Sequence, residues 1–325
     1  MSEEPRVPGW EMPGPVVDPA TPAVAVGATG SIYDLGYRRY EGPRLGRPHA
    51  IRALLLHSLK VAYGIGRGGR AKLAPIILGG FAVIPAIIGV GIIALARQLG
   101  EGSRIIEEAN PIRHDTYFSV ILVPVSLFTA IQAPEIVGRD QRYSLLSLYF
   151  SRALRRLDYS LARYLGMVLA MLIFVLLPQV IIFGGLVLSA ADVGKELRTE
   201  LGLVPPTVAQ AVIASMLLAG VATVISSYTP RRLYATVGII VVLAVAPIIT
   251  NLLVELGTAD IARVAVLASP PDVLDATNAF LFNRGSTTEV VTRASLPGLA
   301  YVGAAVVITA AAVGVLVRRF ERIAV

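Results

Sequence analysis

The sequence predicts an all-α protein with six transmembrane helices. Three observations carry that prediction. The mean hydropathy is +0.69. Only 16% of the 325 residues are charged, where a soluble domain carries about 25%. Six apolar stretches each come close to the ~20 residues that a helix needs to cross a bilayer. They are Leu73–Ala96, Tyr117–Val137, Leu165–Leu188, Val208–Tyr228, Ala235–Leu256 and Gly298–Val317. None has an ionisable residue near its centre, and Glu135 and Glu255 stand at span ends. In hydrocarbon every backbone polar group must be paired internally, so runs of this length read as helix.

The elements follow in chain order. Residues 1–30 are rich in Pro, Gly and Ala and lack the apolar content for a core, so they read as disordered. The first 70 residues hold no apolar segment of the kind a signal peptide needs. Residues 1–47 are expected to form an irregular cytoplasmic region, and 48–325 the membrane domain. Within 31–47, Tyr33, Tyr37 and Tyr40 alternate with Arg38, Arg39, Arg44 and Arg47. Protein docking through Tyr–Arg stacking and a basic tail near anionic lipid both fit that pattern.

Residues 49–66 read as an amphipathic helix ahead of the first span. At 100° per residue His49, Arg52, Lys60 and Arg67 fall on one side, with Ile51, Leu54, Leu55, Val61, Ala62 and Ile65 opposite. That pattern suits a helix lying in the membrane interface.

Charge sets the orientation. Of the 29 Lys and Arg, 21 fall in the loops and termini at one end of the six-span arrangement and 8 at the other. Arg67, Arg70, Lys72, Arg139, Arg142, Arg231, Arg232, Arg318 and Arg319 lie close to span ends on the richer side. The positive-inside rule therefore makes that side, with both termini, cytoplasmic, in a multi-pass protein of the plasma (inner) membrane. The net charge of +7 is accounted for by topology and does not call for nucleic acid.

Several spans carry small residues at helix-packing spacing. Ser215, Ala219, Thr223 and Ser227 share one face, the third span has Gly184-Gly185, and the last has Ala310 and Gly314. Such ridges let helices approach closely, within one chain or between two. Segment 257–297 has helical signals of its own: Ser269 as a cap, Pro270 at the first helical position, Asp272 in the first turn and a short helix over 276–282. It fits an outer cover over a pathway, or an interfacial helix.

The loop between the second and third spans is basic and two-faced. Ser144, Ser147, Ser151 and Arg155 share one side, and Leu146, Tyr149, Phe150, Ala153 and Leu157 the other. A helix over 140–158 with that pattern can lie along the membrane base and present polar, basic side chains to a cytoplasmic partner.

Much chemistry is excluded. Cys is absent, so disulfides, thiolate sites and Cys nucleophiles are too. Three His (His49, His57, His114) are too few and scattered for a metal cage. No Gly-x4-Gly-Lys-Ser/Thr occurs. Glu107-Glu108 with Arg113 is similar to the paired-Glu motif of membrane-embedded CAAX-type proteases, but its spacing is one residue too long and no span supplies the needed His or Asn. No catalytic residue is therefore assigned. The spans offer only neutral polar groups: Gln132, Gln179, Ser126, Thr129, Thr250 and Asn251. Ion-coupled carriers usually place Asp, Glu or His inside the membrane, so energy for uphill transport is expected from outside the chain.

Residues 135–166 resemble the loop between the second and third helices of ABC-2-type transporter permeases. The matching residues are Glu135, Asp140, Arg142, Leu145, Leu148, Ser151, Arg156, Tyr159, Arg163 and Gly166. Tyr143-Ser144 stands for a usual Gly-Thr, Ala153 for a usual Pro and Arg163 for a usual Lys. The cytoplasmic N-terminus, interfacial helix, six spans and larger outer segment before the last span are similar to that family's plan over about 49–325.

The resemblance implies a coupling helix that docks on a separate nucleotide-binding ATPase. Arg139, Asp140, Arg142, Ser151, Arg152, Arg155, Arg156, Asp158, Tyr159 and Arg163 are its expected coupling residues. It also implies a second permease copy or paralogue, ATP and Mg held by the partner alone, and export as the direction. Gln132, Gln179, Thr250 and Asn251 are candidates for a pathway or a helix seam. So little charge suggests a lipid-like or amphipathic substrate. A membrane anchor and an ion-coupled secondary carrier are the other function classes.

Overall fold

The computed structural model describes residues 42, 45–98, 112–151, 154–256, 259–286 and 288–323, the side chains of 259–262 excepted. The expected disorder of 1–30, the Tyr/Arg segment ahead of Arg47, Glu107, Glu108, Arg152 and Ala153 lie outside them. Residues 45–325 form one compact unit, and its described residues are helical with no strand. The helices are α1 (Gly46–Ala62), α2 (Gly69–Gln98), α3 (His114–Ala133), α4 (Arg139–Arg142), α5 (Leu146–Phe150), α6 (Arg156–Ser189) and α7 (Val193–Tyr228). Then come α8 (Arg232–Glu255), α9 (Ala259–Ala268), α10 (Pro270–Leu281), α11 (Glu289–Ala294) and α12 (Gly298–Glu321).

Six helices are long and apolar enough to cross a membrane: α2, α3 with its continuation to Arg142, α6, α7, α8 and α12. Five of the six expected spans lie wholly within them, and Ala235–Leu256 runs one residue past the end of α8 at Glu255. Their ends differ from a hydropathy reading in a systematic way. The helix α6 starts at Arg156 and α7 at Val193, well before the apolar stretches at Leu165 and Val208. With 34 and 36 residues they are about 51 and 54 Å long, against a hydrocarbon core of about 30 Å. Asp192 starts α7 by accepting the Lys195 N–H at 3.0 Å, an N-cap with an acid at its usual place. The helix then runs through Pro205-Pro206, a pair that marks a break in most helices.

The helices α3, α6 and α7 are central and pack on one another, with α2 against α6 and α3, α8 against α3, and α12 against α7. The outward faces of the peripheral helices are apolar. On α2, Ile76, Phe81, Ile84 and Ile88 are all more than half exposed, as are Val306 and Val307 on α12. An apolar belt of this extent belongs in lipid. Close approaches use small residues: a Cβ on Gly185 would sit 2.2 Å from Val90 of α2, and one on Gly166 would sit 2.4 Å from Ser58 of α1. The Ser215, Ala219, Thr223 and Ser227 face of α7 is wholly buried within this chain, whereas Ala310 and Gly314 are exposed on α12.

The helix α1 buries Leu54, Ser58, Val61 and Ala62, the face that periodicity selects. It ends at Ala62, so Ile65 is exposed and sits in the turn to α2. Gly64 makes that turn at φ +66°, where a Cβ would meet the Ala71 carbonyl oxygen at 2.7 Å. From Arg47 beside Asp158 to Tyr63 bonded to the Ala170 carbonyl at 2.7 Å, α1 follows the first turns of α6 lengthwise.

Candidate functional site

The end of the bundle that carries most of the Arg residues is built around one buried ion pair. The helix α3 passes into a π-helical turn, Pro134–Gly138, and then into α4. A π turn inserts one extra residue and changes the direction in which the following side chains point. Here Asp140 points inward, 5% exposed, to Arg163 of α6, 1% exposed. Tyr159 donates to Asp140 at 2.7 Å, and Arg163 donates to Ser58 Oγ at 3.0 Å and to Tyr149 Oη at 3.3 Å. The Arg163 guanidinium also lies 5.4 Å from the Tyr159 ring centroid and 5.7 Å from that of Tyr149. Tyr159 packs edge-on to Phe150 and Phe320. One cluster thus ties α1, α4, α5, α6 and α12 together.

Two further clamps surround it. Asp158 accepts from Arg47 through both carboxylate oxygens, at 2.7 and 2.6 Å, and from the Arg155 backbone N–H at 3.0 Å, which caps α6. Glu135, on the π turn, pairs with Arg67 at 2.8 Å and Arg232 at 2.9 Å, joining the starts of α2 and α8 to the end of α3. Between these groups lies a cavity of about 390 Å³ lined by His57, Glu135, Arg139, Asp140, Tyr149 and Arg163. Partial burial holds the His57 imidazole below its ordinary value. Arg163, Arg139 and Arg67 push the same way, and Asp140 opposes them.

The ten expected coupling residues therefore divide. Asp140, Asp158, Tyr159 and Arg163 are buried and bind other parts of this chain. Arg156 donates to the Glu321 carbonyl at 2.6 Å, and its guanidinium lies 5.6 Å from the Phe150 ring. Arg142, Ser151 and Arg155 are exposed, and Arg139 lies over Tyr143, 6.0 Å from its centroid. Over 140–158 the described residues form the short helices α4 and α5 and, from Arg156, the first turn of α6. The break falls at Ser144, whose φ of +52° is left-handed. Leu146 is buried with Tyr149 and Phe150 half-buried, as the two-faced pattern requires, but Leu157 is 42% exposed because it belongs to α6.

The four polar span residues are not brought together. Gln132 is buried near the π turn. Gln179 lies beside His114, at 2.6 Å between Oε1 and Nδ1, at the start of α3; Gln132 is 18 residues further on, about 27 Å along the helix. Thr250 donates to Asp272 at 2.6 Å, and the exposed Asn251 bonds Pro247 of its own helix at 2.7 Å.

Two ionisable groups just beyond the expected spans are buried against each other. His114 and Glu200, 3.0 Å apart, are 4% and 5% exposed. Both sit outside the apolar stretches, on helix extensions that hydropathy cannot see. The helix α10 is buried from Pro270 to Ala279 among α3, α7, α8 and α12, so it is not a surface helix. Three of its polar residues stand at every third position and find partners. Asp272 accepts from Thr250, Asp275 from Ser286, and Asn278 donates to the Asp115 carbonyl at 2.8 Å. Among the described residues no group of three His, Asp or Glu could hold a metal ion. No family model matches the chain, and no curated protein matches its sequence.

Proposed function

We propose that the chain is the membrane-spanning subunit of an ATP-driven transporter of the ABC-2 type, working with a separate ATPase that binds ATP and Mg. The observation that carries this reading is the construction of the Arg-rich end. A short surface helix, α5, is fixed by buried groups to α1, α6 and α12, and its neighbouring cations Arg142 and Arg155 face outward. A load applied at α5 is transmitted through Tyr149, Arg163 and Asp140 into the π turn that ends the second span. This is the mechanical path that a docking partner needs if closure of its nucleotide sites is to move membrane helices.

On this reading α1 lies at the cytoplasmic membrane surface, and both termini are cytoplasmic. A second copy or paralogue completes the pathway, and the cargo is lipid-like or amphipathic. The buried Asp140, Asp158, Tyr159 and Arg163 hold the docking surface in shape, and Arg142, Ser151 and Arg155 meet the partner. Affinity purification from the native membrane in mild detergent tests this. A stoichiometric protein with a Gly-x4-Gly-Lys-Ser/Thr sequence is expected, and it is lost on Arg155→Glu with Arg142→Glu. Repeated clean preparations without such a protein would contradict the reading.

A second reading, the ion-coupled carrier, is favoured by the buried His114–Glu200 pair and the buried Asp272, since internal ionisable groups are what such carriers use. Transport that persists in ATP-depleted vesicles under a proton gradient would select it.

A further inference from the structure

We propose that the cavity between α6 and α7, near the start of α3, binds a compact cationic group, an ammonium, carried on an apolar body. The cavity holds about 160 Å³ and is lined by His114, Gln179, Phe183, Glu200, Val204 and Val208, among others. A cavity near 150 Å³ holds one benzene ring, so this one takes a single compact group and not a whole lipid. Val180, Val204 and Val208 line it while 65%, 38% and 41% exposed. The opening is therefore sideways, onto the apolar surface that faces hydrocarbon.

The charge at its inner wall selects the ligand's sign. Glu200 is 5% exposed, and its Oε2 lies 3.0 Å from His114 Nε2. Among the described residues, the nearby cations Arg97 and Arg113 pair with Glu196 at 2.7 Å and Asp115 at 3.6 Å. From α10, Asn278 turns to the Asp115 carbonyl. As placed, Gln179 Nε2, His114 Nε2 and Glu200 Oε2 all lack a hydrogen bond of proper geometry.

Amide orientation is assigned from the hydrogen-bond network. Turning the Gln179 amide over lets Nε2 donate to His114 Nδ1. A neutral imidazole then donates from Nε2 to Glu200, and Gln179 Oε1 is left as an acceptor. The cavity so presents a buried carboxylate and an amide oxygen beside the Phe183 ring. That set suits an ammonium through charge, hydrogen bonding and cation–π attraction. An anion would meet an unneutralised carboxylate in a desolvated site. The polar inner wall and apolar mouth orient the ligand, cation inward and tail toward lipid. The inference does not rest on an ATPase partner.

The test uses the full chain in lipid nanodiscs, with benzylammonium and its neutral carbon isostere ethylbenzene as probes, read by saturation-transfer NMR against empty nanodiscs. Saturable binding of the cation is expected, weakened at least about tenfold by Glu200→Gln, with the isostere indifferent to that change. Val204→Phe fills the mouth and is expected to abolish binding of the cation while the protein stays folded by thermal melt. Binding unchanged in either folded variant, equal affinity for the two probes in the wild type, or no saturable cation signal would overturn the proposal.

Discussion

At the residue scale, Arg163 and Asp140 decide the most. Both are withdrawn from water, so removing either leaves the other as a buried uncompensated charge, at a cost of about 3–5 kcal/mol. Asp140→Asn and Arg163→Met should each lower the melting temperature of the purified protein sharply. The double variant should lose clearly less than the sum of the two, because neither charge remains. Additive losses would mean that the pair is not coupled. His57 gives a weaker, signed prediction. Its folded-state value lies below the ordinary ~6.5 because of partial burial and the neighbouring guanidiniums of Arg163, Arg139 and Arg67. The unfolded chain then binds more protons through that range, so stability falls as pH drops below about 6.5. Since the side chain is well exposed the effect is small, and His57→Gln should flatten the melting temperature between pH 7.5 and 5.5. A slope unchanged by that substitution would assign the acid loss to another group.

The residue scale is also where the sequence is least legible. The pattern Asp140…Tyr159…Arg163 is visible as a set of polar residues in a basic loop, and a polar residue in a loop reads as solvent-facing. The structure turns these three inward, since the π turn re-aims Asp140 and the early start of α6 places Tyr159 and Arg163 on a packed helix. His114 and Glu200 escape a hydropathy reading for a similar reason. Each lies beyond the apolar stretch of its helix, and Pro205-Pro206 hides the helical continuity between Glu200 and the span.

At the element scale, the positions and order of the six spans are legible because each is a run of about 20 apolar residues, a signal set by bilayer thickness. The start of α10 is legible too, from Pro270 and Asp272. Its depth is not, because burial of Asp272, Asp275 and Asn278 depends on Thr250, Ser286 and Asp115, which are distant in sequence. Packing of the elements makes its own prediction. Gly185 lets α6 approach α2 so closely that a Cβ would meet Val90 at 2.2 Å. Gly185→Val should therefore destabilise the bundle by about 1–3 kcal/mol, the usual range for overpacking, and Val90→Ala should restore part of it. Full stability of Gly185→Val alone would mean that the two helices are not held together at that point. For α10, Thr250→Val leaves Asp272 without its hydroxyl donor in a buried site, a loss of about 1–3 kcal/mol or more, measurable by thermal melt.

At the scale of the whole molecule, the uneven distribution of Lys and Arg predicts an orientation that can be checked without disturbing any native thiol, because the chain has no Cys. Lys195→Cys, near the start of α7, should react with a membrane-impermeant maleimide in intact cells. Arg155→Cys should react only after the membrane is opened. The reverse pattern would invert the topology and move the Arg-rich end out of reach of a cytoplasmic partner. Most of the cations lie at that one end, where three ion-pair clamps brace the helices: Asp140–Arg163 joins α4 to α6, Asp158–Arg47 joins α6 to α1, and Glu135 with Arg67 and Arg232 joins the end of α3 to the starts of α2 and α8. Under the proposed function, that anchorage would let the surface pass force from a docked partner into the membrane helices.

The most direct measurement is photo-crosslinking in the native membrane from Leu148, which is 61% exposed on α5, with Leu197 on the first turns of α7 as the control. A benzoylphenylalanine at 148 is predicted to capture one protein bearing the Gly-x4-Gly-Lys-Ser/Thr sequence, and the same group at 197 to capture none. Absence of an ATPase adduct from 148, and equally from probes at 142 and 155, would contradict the coupling of this chain to an ATPase at its Arg-rich end.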